Sequence, residues 1–120
     1  MRNPGTRTRA YVDTNIYIYA ILHHPRYGSA CTTILRDINR GLLEAYGSIL
    51  VATELLGALS KIDPRIARRA LEDYLVSPII ILELDEAVLA AAALINEIVN
   101  MRYDAIHAAL MMLNGVPNII

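Results

Sequence analysis

Three acids stand where they could act on a charged substrate. Asp13 follows the apolar pair Tyr11-Val12 and precedes Thr14, Asn15 and a new apolar run through Leu22. That pattern reads as a strand ending at a carboxylate, with a helix starting within a residue or two. In an open α/β sheet, ligands bind at the carboxyl ends of the strands. Asp13 would stand at such an end, so its partners should be acids delivered to the same edge. Glu54 falls in the second turn of the helix expected after the second strand, and Asp104 at the start of the helix before the last strand. His107 follows Asp104 at helical spacing, and Ala105, Ala108 and Ala109 around it are small enough to let that helix sit close to a sheet.

Each of these residues also has a plainer reading. Asp13 could form an Asx turn or a helix cap. Glu54 could be an exposed helix acid, although Val51, Leu55 and Leu59 mark an apolar face beside it. Asp104 could be a first-turn acid that interacts with the helix dipole, worth a few tenths to about 1 kcal/mol. A lone histidine such as His107 is more often a core or surface residue than a ligand. The edge speaks for more: Asp13 and Asp104 both stand where an element enters or leaves the expected strand ends.

The elements that must position them follow from punctuation and periodicity. Residues 1–8, with Pro4 and Gly5, read as a loose tail, and Arg9 to Val12 as a strand. Asn15 to Leu22 suits a helix with Ile16, Tyr19 and Ala20 on one face, ended by His23-His24-Pro25. A second helix spans about Ser29 to Arg40 and closes at Gly41, and Leu42 to Gly47 reads as the second strand. Ser48 is placed to cap a helix from Ile49 to about Lys61, with Ala52, Leu55, Leu56 and Leu59 as its apolar set. Asp63-Pro64 opens another helix, as cap and first residue, running to Leu75. Within the strand expected over Ile79 to Leu84, an unbroken apolar run is the mark of burial on both faces. Asp85 caps an Ala-rich helix to about Met101, Tyr103 to Leu113 forms a helix stopped at Asn114-Gly115, and Asn118 to Ile120 is a last strand. Strands separated by helices predict a parallel sheet with helices on both faces.

Composition bounds the function classes. The chain has 120 residues, of which 55% are hydrophobic, enough for one domain with an extensive core. The formal net charge is −1, so no global field draws in nucleic acid, and any such binding must use local patches. Arg65, Arg68 and Arg69 on one helix and Arg36 and Arg40 on another are candidate phosphate contacts; the plainer reading is solvated arginines or pairs with Glu72 and Asp73. Tyr17 and Tyr103 are candidates for stacking on exposed bases. The single Cys31 excludes an internal disulfide framework and reads as a small buried residue. No apolar run is long enough to span a bilayer and no signal peptide is visible, so the expected location is cytoplasmic.

The chain resembles the PIN-domain family, in particular the compact VapC-like toxin ribonucleases. The matching stretches are Tyr11-Val12-Asp13-Thr14-Asn15, Ser48 through Val51 with Glu54 and Leu55, Asp104-Ala105-Ile106-His107-Ala108-Ala109, and the closing Gly115-Val116-Pro117-Asn118-Ile119-Ile120. The resemblance implies one three-layer α/β domain over residues 9–120, with a parallel sheet of about four strands in the order 3-2-1-4. It implies a carboxylate cluster that binds Mg2+ or Mn2+ and cleaves RNA, with Asp13, Glu54 and Asp104 carried over as catalytic and metal-site residues. Thr14 and Asn15 match the polar residues beside the first acid and would support the site. His107 matches a common motif position of open role. Family members usually carry a further acid, often two, shortly after the last strand, a position beyond Ile120. The partners implied are an RNA substrate, a small antitoxin that covers the acidic pocket, and a second copy in a homodimer. Two other readings compete. One is a non-catalytic PIN-like domain that binds RNA or protein. The other is a phosphate-handling α/β domain with Asp13 as nucleophile, disfavoured because Asn15 stands where such hydrolases commonly carry a second acid.

Overall fold

The computed structural model describes residues 7–120. Four strands and six helices alternate as expected: β1 (Thr8–Tyr11), α1 (Thr14–Ile21), α2 (Gly28–Asn39), β2 (Leu43–Ser48), α3 (Ile49–Ser60), α4 (Pro64–Val76), β3 (Ile80–Leu82), α5 (Glu86–Ile98), α6 (Tyr103–Asn114) and β4 (Asn118–Ile119). Of the tail expected over residues 1–8, residues 1–6 lie outside the described residues, and Thr8 already pairs with Leu43 in the sheet. The sheet order is β3-β2-β1-β4 and every pairing is parallel. That order places β1 between two neighbours, and Ala10, Tyr11 and Val12 are fully buried.

Local chemistry sets most helix starts. Asp13, Ser48, Asp63 and Asp85 each cap a helix by accepting a backbone N–H, from Thr14, Val51, Arg65 and Val88 in turn. Pro64 takes the first helical position of α4, where a missing N–H costs nothing. Gly115 ends α6 in the left-handed region at φ 64°, a conformation glycine adopts without a Cβ clash. α6 starts differently: its cap, Arg102, sits at φ 57° with no side-chain cap bond, and the Asn96 side chain accepts the Arg102 N–H instead. That tie belongs to the turn that folds α6 back on α5, and α5 stops at Ile98, short of the expected Met101.

Three expectations are corrected. β3 is not buried on both faces: Ile80 and Ile81 are 44% and 38% exposed, and only Leu82 is buried. An apolar run cannot by itself distinguish a central strand from an edge strand, and β3 is an edge. The buried face of α1 carries Thr14, Tyr17 and Ala20 rather than Ile16 and Tyr19. On α3, Leu56 is exposed while Val51 joins Ala52, Leu55 and Leu59 in the core. Leu55, Leu59 and Leu110 are almost completely buried, each worth roughly 2 kcal/mol of transfer free energy.

The last strand carries the chain to the Asp13 edge. The Ile120 N–H donates to the Tyr11 carbonyl, and the Ile120 carbonyl accepts from the Asp13 N–H at 3.0 Å. At the end of β2 the backbone is equally constrained: a Cβ on Gly47 would collide with the Tyr74 hydroxyl, which accepts the Ser48 N–H at 3.2 Å.

Candidate functional site

Asp13 performs its plainer role and keeps capacity for another. Its Oδ1 accepts the Thr14 N–H at 2.8 Å, which caps α1. Among the described residues, no group bonds its Oδ2, and the residue is half-buried at the strand end.

Glu54 is neither fully solvated nor alone. It projects from the second turn of α3, and its Oε1 accepts from the Thr14 hydroxyl at 2.9 Å. The same oxygen lies 2.8 Å from His107 Nε2 on α6. The Glu54 side chain is 31% exposed and that of His107 only 4%. Among the described residues, Oε2 of Glu54 has no protein partner. The other ring nitrogen, Nδ1, lies 2.6 Å from the Tyr11 hydroxyl, which lies 2.8 Å from Ser48 Oγ. Tyr11 also meets the imidazole edge-on, with centroids 5.3 Å apart. Burial pushes the Tyr11 hydroxyl well above its ordinary pKa, so it is a protonated donor at neutral pH.

Thr14, Glu54 and His107 are thus brought into one hydrogen-bonded group, with Asp13 joined to it through Thr14. Asp104 is exposed in the first turn of α6, and Asn15 is exposed on α1; no side-chain hydrogen bond ties either to the group. Among the described residues, no three of His, Cys, Asp and Glu converge closely enough to hold a metal ion. The oxygens open at this edge, Oδ2 of Asp13 and Oε2 of Glu54, are hard donors. Magnesium commonly binds through one or two carboxylates and keeps several waters, so this donor set fits such an ion in that mode.

Two residues of the group, Tyr11 and Ser48, escape a sequence reading of the site. A tyrosine in a central strand looks like core, and Ser48 reads only as a cap. The one available signal is a hydroxyl on a strand position that must be buried, since buried hydroxyls need partners.

Elsewhere, the arginines follow the plainer reading where they are paired. Arg65 meets Asp63 and Arg68 meets Glu72, each at 3.4 Å and largely in solvent, where such pairs contribute little. Tyr17 is buried, with its ring edge-on to Tyr74, and cannot stack on a base; Tyr103 is 69% exposed. A cleft of about 610 Å3 is lined by Tyr17, Leu35, Ile38, Ile66, Tyr74 and Ile79 among others, and by none of Asp13, Glu54 and Asp104. No described helix is long and apolar enough to cross a membrane.

Comparison with known proteins identifies the fold and the family. No curated protein matches the chain. Among solved structures, it is similar to a chain of the crystal structure of VapBC2 from Rickettsia felis bound to a DNA fragment from their promoter. The TM-score is 0.62 at 16% identity, covering 92% of this chain and 86% of the other. At that identity the likeness establishes the fold. A model of the PIN domain matches residues 10–119, nearly the whole described sheet with all six helices, and the chain belongs to the PIN-domain family.

Proposed function

We propose that the chain is a metal-dependent endoribonuclease of the VapC-like toxin type, cleaving RNA phosphodiesters at the edge formed by Asp13 and Glu54. One observation carries this reading: Glu54 is held through a single oxygen by Thr14 and His107, beside the strand end that presents Asp13. An acid that served only solubility would need no such support.

Hydrolysis adds the elements of water across a P–O bond. The water oxygen joins phosphorus, one ribose oxygen leaves, and a proton moves from the water to the leaving group. A bound Mg2+ or Mn2+ supplies an activated water and neutralises charge on the phosphoryl group. Asp13 and Glu54 offer the hard oxygens for it, and Asp104 supplies a further carboxylate on the element that carries His107. Two carboxylates about 5 Å apart repel by roughly 3 kcal/mol at an effective dielectric near 20, which favours cation uptake. Thr14 and His107 hold Glu54 in place, so little reorganisation is needed when substrate arrives. Asn15, exposed beside Asp13, would support the site as a polar neighbour of the first acid.

The Rickettsia felis structure is of a VapBC2 complex, and the partner proposed for this chain is an antitoxin that covers the same edge. A homodimer and a cytoplasmic location complete the proposal. The competing reading, a non-catalytic PIN-like domain that binds RNA or protein, is favoured by the lack of three convergent ligands among the described residues.

Manganese titration separates the two. An ion that binds only the folded state raises the melting temperature by mass action. Millimolar manganese should stabilise the parent, and Asp13→Asn should lose most of that gain together with cleavage of single-stranded RNA. Identical responses of parent and variant would remove Asp13 from the site. Absence of both metal response and cleavage in the parent would leave the binding domain as the better reading.

A further inference from the structure

The hydroxyl of Tyr11 has a task that core packing does not require. Ser48, Tyr11 and His107 come from the end of β2, the end of β1 and the middle of α6, and are 0%, 0% and 3% exposed. Water does not reach them, so their hydrogen bonds must be satisfied within the protein.

Donor counting orders the chain from its Glu54 end, where a carboxylate oxygen can only accept. A neutral imidazole beside it must carry its ring proton on Nε2, which donates to Glu54 Oε1 at 2.8 Å. Nδ1 is then an acceptor and takes the Tyr11 proton at 2.6 Å. With its proton so committed, the Tyr11 oxygen accepts from Ser48 Oγ, 2.8 Å away, while Ser48 Oγ accepts the Val51 N–H at 3.3 Å. Thr14 donates to the same Glu54 oxygen as the ring. The opposite tautomer would set the bare Nε2 lone pair against a carboxylate oxygen, two acceptors at hydrogen-bond distance.

We propose that Tyr11 and Ser48 are positioning residues: their hydroxyls hold His107 in the Nε2–H tautomer, which locks Glu54 with Oε1 turned inward and Oε2 presented to the ligand at the strand edge. The proposal rests on the ribonuclease reading for the identity of that ligand, a divalent cation. It does not rest on that reading for the state of the ring. A histidine orienting a carboxylate ligand is the same device as the outer hydrogen bonds that orient metal ligands generally, whose loss costs roughly 10–100-fold in affinity.

The experiment has two arms. In the first, nitrogen-15 spectra of the histidine rings are recorded on the metal-free protein at neutral pH. His107 should show a proton on Nε2 and none on Nδ1, and Tyr11→Phe should move the Nδ1 resonance as its donor disappears. A proton on Nδ1 in the parent overturns the proposal without any variant. In the second arm, manganese affinity is measured by calorimetry for the parent, Tyr11→Phe, His107→Gln and the double variant. Glutamine can supply an N–H where the ring Nε2–H stood, without needing Tyr11. Tyr11→Phe should weaken manganese by about tenfold in the parent and by less than about twofold in the His107→Gln background. Equal losses in both backgrounds, or an unchanged affinity with a lowered melting temperature, would show that the hydroxyl serves only the fold. A parent that binds no manganese sinks the ribonuclease reading, and the spectra still decide whether the hydroxyls set the ring.

Discussion

Tyr11 and Tyr17 stand on either side of Asp13, and the fold treats them in opposite ways. Both are buried, and burial pushes both hydroxyls well above the ordinary tyrosine range. The Tyr11 hydroxyl lies between Ser48 and His107. Among the described residues the Tyr17 hydroxyl has no partner, while its ring packs edge-on against Tyr74 at 5.2 Å. The region around Tyr11 is therefore organised by directional bonds that end on Glu54. The region around Tyr17, which lines the apolar cleft, is organised by ring packing. An unmade hydrogen bond is a cost, so Tyr17 is kept for its ring.

Four measurements would break or sharpen that contrast. The largest effect is expected from alkali. Tyr11, Tyr17 and Tyr74 all have pKa values raised by burial, that of Tyr74 to about 12. Below pH 10 both folded and unfolded chains hold these protons. Above it the unfolded chain releases them first, so stability falls as pH rises from 10 toward the folded values. With up to about 1.4 kcal/mol per tyrosine per pH unit, the loss should reach roughly 3–4 kcal/mol by pH 11. Urea melts at pH 9, 10 and 11 would measure it, and a flat profile would mean that the three hydroxyls are not withheld from solvent.

Next comes His107→Ala. It removes a buried ring and strips partners from both Tyr11 and Glu54, and should cost about 2–3 kcal/mol in urea denaturation at neutral pH. A cost under about 1 kcal/mol would show that the polar group is not a connected unit.

Tyr11→Phe should cost about 1–2 kcal/mol, since it leaves Ser48 and the ring Nδ1 without their partner. The matching change, Tyr17→Phe, should stay within about 0.5 kcal/mol of the parent or stabilise it slightly, because it deletes an unpartnered hydroxyl and keeps the ring. It should also flatten the alkaline loss by about one tyrosine. If the two variants lose equal stability at neutral pH, the contrast fails.

Most helix starts were legible because they depend on neighbours in the chain, whereas the strand order 3-2-1-4 followed from the resemblance to the PIN-domain family and pairs residues far apart in sequence. Asp63-Pro64, Asp85 and Ser48 act within three residues of themselves, and Gly115 meets a backbone requirement at its own position. The far end of α5 was not legible, since it depends on the Asn96–Arg102 tie and on the packing of α6. The site was half legible. Asp13 at a strand end, with Thr14 beside it, follows from local pattern. The burial of His107, and its bonds to Tyr11 and Glu54, do not.

The sequence by itself determined the alternation of elements, the helix caps and the delivery of Asp13 to a strand end, because those are settled by backbone conformation over a few residues. Tertiary structure alone decided that β3 is an exposed edge and that Tyr17 is core rather than a stacking platform. It alone brought Tyr11 to His107 across 96 positions and His107 to Glu54 across 53. A hydrogen bond requires two groups within about 3 Å in a defined direction. No periodicity within one element carries that information about a partner on another.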